Sequence, residues 1–222
     1  MVRKIAFTVV AAALMVVAAV TFARTARIEG AEVTRLEIGA EAPEFKLFGV
    51  DLRYHSLSMY DDKELVVVGF HCNHCPISRM NRQAWVELAN TYHDKGVQVL
   101  AINPNPADKV RADGFMQMIE VAEQNNYPFP YLYDETQTVA AAYGARRTDD
   151  VFILGPADDD GTRRVKYIGP LNNHDAPPHY VADALDTLLA GEQIETPEVA
   201  EFGCTIKYRT EQERQARGVQ LN

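Results

Sequence analysis

The stretch VVVGFHCNHCPISRM, residues 66–80, joins a buried strand to an amphipathic helix through two cysteines. Residues 65–70 are almost continuously apolar and rich in valine, which is typical of a strand that is covered on both faces. Apolar residues then recur every three or four positions as far as Tyr92, which predicts a helix. Cys72 and Cys75 therefore lie where the strand passes into the helix.

Strands and helices alternate along most of the remaining chain. The predicted strands are 97–102, 128–133, 151–154 and 165–168, and the predicted later helices are 116–126, 134–145 and 180–190. This order predicts an α/β fold, with a central mixed β-sheet flanked by helices. Residues 192–222 are predicted to form a polar tail, which contains Cys204 and packs at most through residues 202–208.

The amino terminus has the pattern of a targeting segment. Residues 1–23 contain an early basic pair followed by an apolar run that is long for a signal core and close to the length of a membrane span. A cleaved signal peptide and an uncleaved membrane anchor are both open. In either case we expect the rest of the chain to be periplasmic or otherwise extracytoplasmic, free or anchored to the inner membrane.

Charge and composition exclude several classes of partner. The formal net charge is -9, so nucleic acid and anionic lipid surfaces are poor partners, and contact with a membrane is expected only through residues 1–23. The sequence contains no glycine-rich phosphate loop, and no organic cofactor is expected. The chain has three cysteines, too few for a scaffold held together by disulfides.

The position of the two cysteines indicates redox chemistry. Cys72 is expected near the first turn of the helix, where free amide groups and the helix dipole stabilise a thiolate. Cys75 lies three residues further on, close enough to form a disulfide with Cys72. His74 adds a polar neighbour that can carry a positive charge. We therefore predict that Cys72 is the nucleophile and that Cys75 resolves the mixed disulfide. We also predict that His74 stabilises the thiolate and so sets the redox potential of the pair.

Two other interpretations of the cysteine pair are open. A structural disulfide between Cys72 and Cys75 would close so short a loop that it would add little stability. A metal site is the stronger alternative, because His71, Cys72, His74 and Cys75 offer the nitrogen and sulfur ligands that zinc and copper accept. Neighbours in sequence, however, rarely all point at one ion.

Several motifs in order give the chain a resemblance to a known superfamily. It resembles the thioredoxin-fold redoxins, which include thiol-specific antioxidant and alkyl hydroperoxide reductase proteins, and within them a bacterial group with a CNHCP motif. The matching segments are residues 38–45, 72–76, 101–103, 131–145 and 203–207.

The resemblance implies a thioredoxin fold over residues 36–191, with an N-terminal extension of the redoxin type. It also implies a dithiol/disulfide centre at Cys72 and Cys75, and a protein thiol or disulfide as partner. Cys204 recurs in the resembling group, which suggests a redox or structural role for it. A packed or free thiol at Cys204 is the alternative.

The chain departs from the resembling group at one loop. Where that group has Thr-Pro, this sequence has Thr148-Asp149, and the missing proline is one that forms a cis peptide beside the cysteines in thioredoxin folds. A cis bond before a residue other than proline costs about 2.5–4 kcal/mol. We therefore expect a trans bond and a reshaped loop at Thr148 and Asp149. The Asp149 carboxylate near the sulfurs is expected to raise the pKa of the cysteines and so disfavour the thiolate.

A peroxidase is the second function to weigh. Peroxiredoxins, as a family, place a proline and a threonine or serine just upstream of the reactive cysteine, whereas Gly69, Phe70 and His71 precede Cys72 here. The leading prediction is therefore an exported thiol-disulfide oxidoreductase. A thiol-dependent peroxidase and a module that binds or delivers zinc or copper are the alternatives.

Overall fold

The structure is a computed structural model that describes residues 25–28, 31–172 and 179–220. The targeting segment predicted for residues 1–23 lies outside these residues. Among the helices of the described ranges, none combines the length and apolar character that a membrane span requires.

The central sheet has seven strands and is mixed. In chain order the strands of the protein are β1 (Thr25–Ile28), β2 (Ala31–Thr34), β3 (Lys46–Gly49), β4 (Tyr54–Ser56), β5 (Leu65–Phe70), β6 (Val97–Asn103), β7 (Tyr131–Tyr133), β8 (Arg147–Thr148), β9 (Asp150–Leu154), β10 (Val165–Pro170) and β11 (Cys204–Thr205). The sheet order is β10-β9-β5-β6-β7-β3-β4, and two further two-stranded sheets pair β1 with β2 and β11 with β8. The β5–β6 and β6–β7 pairs are parallel, and the other pairs of the central sheet are antiparallel.

Helices cover both faces of this sheet. The covering helices are α1 (Pro76–Tyr92), α2 (Phe115–Gln124), α3 (Thr138–Tyr143) and α4 (Tyr180–Leu189), whereas α5 (Glu211–Gln215) has no buried residue. Alternate residues of β5 enter two separate cores. Val66 and Val68 pack in the core that contains residues of α3, while Val67 packs in the core that contains Trp85 and residues of α2 and α4. The predicted thioredoxin-type α/β fold is confirmed.

The predicted helix after the cysteines forms as expected. It runs over Pro76–Tyr92 and continues through a short 3-10 turn, and Gly96 then ends it with a φ of 82°. Glycine adopts this left-handed conformation without steric cost. The helix predicted over 134–145 is shorter, because a turn around a buried carboxylate, Asp134, precedes it and Gly144 closes it.

The carboxyl-terminal segment is docked more firmly than a polar tail would be. Phe202 is 51% exposed, whereas Ile206 and Tyr208 are buried in the same core as α3. The Tyr208 hydroxyl donates to the carbonyl of Ala145 at 2.8 Å, and the buried Arg209 pairs with Asp108 at 2.7 Å. Apolar side chains after Cys204 thus fix this segment against the body of the protein.

Candidate active site

Cys72 lies just beyond the carboxyl end of β5 and is a free thiol. Its side chain is fully buried. The Sγ atom lies 3.5 Å from Nδ1 of His74 and 3.8 Å from the hydroxyl oxygen of Ser78. The free thiol of Cys72 is therefore held between an imidazole and a hydroxyl group.

Cys75 forms a disulfide with Cys204, and their Cα atoms are 6.1 Å apart. The expected Cys72–Cys75 disulfide is therefore not the one in this structure, and the alternative of a free or merely packed Cys204 is wrong. The cause is tertiary. Strand β11 pairs antiparallel with β8 and places Cys204 opposite Thr148, beside the amino terminus of α1 that Cys75 caps. The two bonded cysteines are 129 positions apart in the sequence, so no local pattern predicts this contact.

A buried carboxylate, Asp113, holds the turn between the two cysteines. Its Oδ1 accepts hydrogen bonds from the amides of Asn73 at 2.8 Å and His74 at 3.0 Å. Its Oδ2 accepts from Nδ1 of His74 at 2.6 Å and from the side-chain amide of Asn105 at 2.9 Å. Sequence reasoning missed Asp113, because it lies about forty residues away in a short turn before α2.

His74 is held in its charged form by this arrangement. Its hydrogen bond to Asp113, and next its hydrogen bond to Cys72, raise the pKa of His74 from 6.5 to about 10, although partial burial opposes the shift. At neutral pH an imidazolium therefore lies beside the Cys72 sulfur. A cation at this distance stabilises a thiolate, which is the reactive form of cysteine.

The raised pKa gives a testable dependence of stability on pH. A histidine whose folded pKa lies above its unfolded value stabilises the fold fully below 6.5, and this stabilisation is lost as the pH rises through about 10. The difference in free energy of unfolding between the wild type and His74→Asn should therefore shrink across that interval. Urea denaturation of the disulfide-bonded proteins at several pH values measures it. A difference that stays constant with pH would contradict the assigned protonation.

Asp149 fills the position where the resembling proteins have proline, and its carboxylate is almost fully buried. The Thr148–Asp149 peptide bond is cis, so the expectation of a trans bond is wrong. The loop is fixed by the side chain of Asp149. Its Oδ1 accepts from His71 Nδ1 at 2.9 Å and from the Ser78 hydroxyl at 3.0 Å, and its Oδ2 accepts from Asn81 at 2.6 Å.

These hydrogen bonds connect Asp149 to the Cys72 sulfur only through Ser78. Ser78 is the shared neighbour, because its hydroxyl contacts both Asp149 and Cys72. Both ring nitrogens of His71 have partners other than the cysteines, since Nδ1 lies 2.9 Å from Asp149 Oδ1 and Nε2 lies 3.1 Å from the Tyr127 hydroxyl. Sequence reasoning named Asp149 but missed Ser78 and Asn81, which project from one face of α1 toward it.

The predicted set of metal ligands does not come together. Cys75 is bound in the disulfide, and both ring nitrogens of His71 have other hydrogen-bond partners. A different group, Cys72, His74 and Asp113, offers one ligand atom from each residue, all within 4.8 Å of one another. Sulfur, nitrogen and oxygen ligands of this kind could hold a zinc ion if one further ligand completed a tetrahedron.

Comparisons with known proteins agree with the fold. Residues 38–183 match the AhpC/TSA family. The thiol-disulfide oxidoreductase ResA of Geobacillus thermodenitrificans is 27% identical over 148 residues, which are 67% of this chain and 79% of ResA.

Two solved structures of uncharacterised proteins are similar over most of their length. A protein of Geobacillus kaustophilus is 37% identical, with a TM-score of 0.72 over 81% of this chain and 96% of its own. A hypothetical protein of Sinorhizobium meliloti is 30% identical, with a TM-score of 0.72 over 80% of this chain and 97% of its own.

Proposed function

The chain belongs to the AhpC/TSA family, and within that family we propose that it is a thiol-disulfide oxidoreductase whose nucleophile is Cys72. One observation carries the proposal. The free thiol of Cys72 lies 3.5 Å from a histidine that Asp113 keeps protonated, which is an environment that favours a thiolate. The similarity to ResA supports the same reaction class.

The proposed reaction starts from the fully reduced enzyme. The Cys72 thiolate attacks one sulfur of a partner disulfide, so that a mixed disulfide forms and the other partner sulfur leaves as a thiolate. His74 lies within reach to donate a proton to a leaving sulfur. Cys75 then attacks the Cys72 sulfur and releases the partner as a dithiol. The same steps in reverse oxidise a partner dithiol.

The similarity to ResA and the pattern of residues 1–23 support a partner class and a location. A protein thiol or disulfide is the proposed substrate. The basic and apolar pattern of residues 1–23 supports an extracytoplasmic enzyme, periplasmic or tethered to the inner membrane by that segment. Because Cys72 is fully buried in the disulfide-bonded state, a partner sulfur reaches it only after local opening.

Substitution of the nucleophile tests the proposal. Cys72→Ser should lower the reduction of a protein disulfide such as insulin by about 10³-fold or more, because serine cannot supply a thiolate. Cys75→Ser is the matched variant. It keeps the attacking sulfur and should accumulate a mixed disulfide at Cys72, which mass spectrometry identifies. Full exchange activity in Cys72→Ser would overturn the proposal.

Metal binding is the second candidate function, favoured by the cluster of Cys72, His74 and Asp113. Metal analysis after anaerobic purification separates it from the first. Stoichiometric zinc or copper that is lost in Cys72→Ser, together with absent disulfide exchange in the wild type, would favour it. Consumption of hydrogen peroxide that depends on Cys72, without exchange, would favour a peroxidase.

A further inference from the structure

The three cysteines lie in an arrangement in which one disulfide can be exchanged for another. Cys75 is bonded to Cys204, while Cys72, three residues earlier, is a free buried thiol. Cys75 is therefore the sulfur shared by the observed Cys75–Cys204 disulfide and by the Cys72–Cys75 disulfide of the proposed reaction. We propose that Cys204 is a third catalytic cysteine, which removes the disulfide from Cys72 after each turnover; this inference rests on the proposed function.

The step exchanges one disulfide for another without an external oxidant. After the partner is released, the oxidised site contains a Cys72–Cys75 disulfide. The thiolate of Cys204, having lost its proton to water, attacks the Cys75 sulfur. The Cys75–Cys204 bond forms, the Cys72–Cys75 bond breaks, and Cys72 leaves as a thiolate. The protein stays at the same oxidation level throughout.

The segment that carries Cys204 is anchored on its carboxyl-terminal side. Gln137 accepts a hydrogen bond from the Arg209 amide at 2.8 Å and donates to the Lys207 carbonyl at 3.0 Å. The Lys207 amide donates to Asn105 at 2.9 Å. None of these bonds depends on the disulfide. Cys204 should therefore stay close to Cys75 after reduction, at a high effective concentration.

The backbone of Gly203, directly before Cys204, packs closely against Thr148. Gly203 has a φ of 140°, and a Cβ atom added there would overlap the carbonyl oxygen of Thr148. The Arg147 guanidinium donates to the Gly203 carbonyl at 2.9 Å. Glycine at this position lets β11 approach β8 closely enough for Cys204 to reach Cys75.

His74 and Asp113 favour the direction of this exchange. The leaving sulfur of Cys72 returns to its position 3.5 Å from His74, and Asp113 holds that imidazole. Asn105 joins the two parts of the site, because it donates to Asp113 and accepts from Lys207 in the docked segment. The disulfide thus ends at Cys75 and Cys204, and Cys72 is again a free thiolate. An external dithiol must reduce the Cys75–Cys204 bond before Cys75 can resolve the next mixed disulfide.

Quenched-flow mapping of the disulfides tests the proposal. The reduced full-length protein is mixed with one equivalent of a protein disulfide, quenched with acid, alkylated and digested for mass spectrometry. In the wild type, the Cys72–Cys75 disulfide should form first and be replaced by Cys75–Cys204. Cys204→Ser should stop at Cys72–Cys75, with at least about tenfold less free Cys72 at the end. Gly203→Ala should slow the second step only.

Three results would count against the proposed transfer of the disulfide from Cys72–Cys75 to Cys75–Cys204. One is Cys72–Cys75 as the final species in the wild type, and another is formation of Cys75–Cys204 in Cys72→Ser at the wild-type rate. The third is an unchanged second step in Gly203→Ala. Absence of any exchange in the wild type would instead overturn the proposed function. Equal thermal midpoints of the wild type and Cys204→Ser in excess reductant show that the variant folds.

Discussion

Asp113→Ala is expected to lower the rate of thiol-disulfide exchange by about 100-fold and the free energy of unfolding by at least about 2 kcal/mol. Asp113 is fully buried and accepts four hydrogen bonds, two of them from the backbone amides of Asn73 and His74. Alanine leaves those donors without a protein acceptor. It also removes the carboxylate that keeps His74 charged beside Cys72.

Asp113→Asn separates these two effects. Its side-chain oxygen can still accept from the two backbone amides, but its NH2 group is a donor and cannot accept a hydrogen bond from His74. The pKa of His74 should then fall from about 10 toward its ordinary 6.5, so the positive charge beside Cys72 is lost within that interval.

The measurements are the exchange rate as a function of pH, the free energy of unfolding in urea, and the titration of His74 by NMR. Asp113→Asn should lose less stability than Asp113→Ala, because only the hydrogen bonds from His74 and Asn105 are lost. Its exchange rate should fall below that of the wild type between about pH 6.5 and 10, where only the wild type keeps the charge on His74. A His74 that still titrates near 10 in Asp113→Asn would contradict the assigned role of the carboxylate.

The elements predicted correctly from the sequence are those determined by residues that lie close together in the chain. The valine-rich run of β5 and the helical spacing of α1 each depend on residues close together in the chain, and Gly96 ends its helix through its own backbone conformation. A buried strand followed by an amphipathic helix also fixes where Cys72 and Cys75 lie. These predictions needed no knowledge of distant contacts.

The parts of the site that sequence missed depend on tertiary contacts. Asp113 reaches the turn between Cys72 and Cys75 because α2, which follows it, packs in the core on one face of the sheet. The sequence around Asp113 contains no motif that predicts this contact. Cys204 reaches Cys75 because Ile206 and Tyr208 dock in the core. Spacing between cysteines carries no information about such docking.

Asp149→Ala is expected to lower the free energy of unfolding by about 3–5 kcal/mol, because it removes a buried carboxylate and leaves its hydrogen-bond donors without an acceptor. Three buried donors, on His71, Ser78 and Asn81, lose their acceptor together. Each donor left unpaired costs about 1–3 kcal/mol, and water that enters the space would reduce the total.

Asp149→Asn is the matched control, because it keeps the shape of the side chain and one acceptor oxygen. It should lose less stability than Asp149→Ala, and urea denaturation of both variants gives the comparison. Exchange kinetics add a second readout. Since Ser78 contacts both Asp149 and Cys72, a freed hydroxyl should alter the reactivity of Cys72 toward small disulfides.

The outcome bears on why aspartate can stand where the resembling proteins have proline. A loss below about 1 kcal/mol in Asp149→Ala would mean that water or loop movement replaces the carboxylate, and that Asp149 does not hold the loop. A loss in the expected range would instead show that a polar network, anchored on β5 and α1, holds the loop beside the cysteines. The aspartate would then be a structural substitute for the proline.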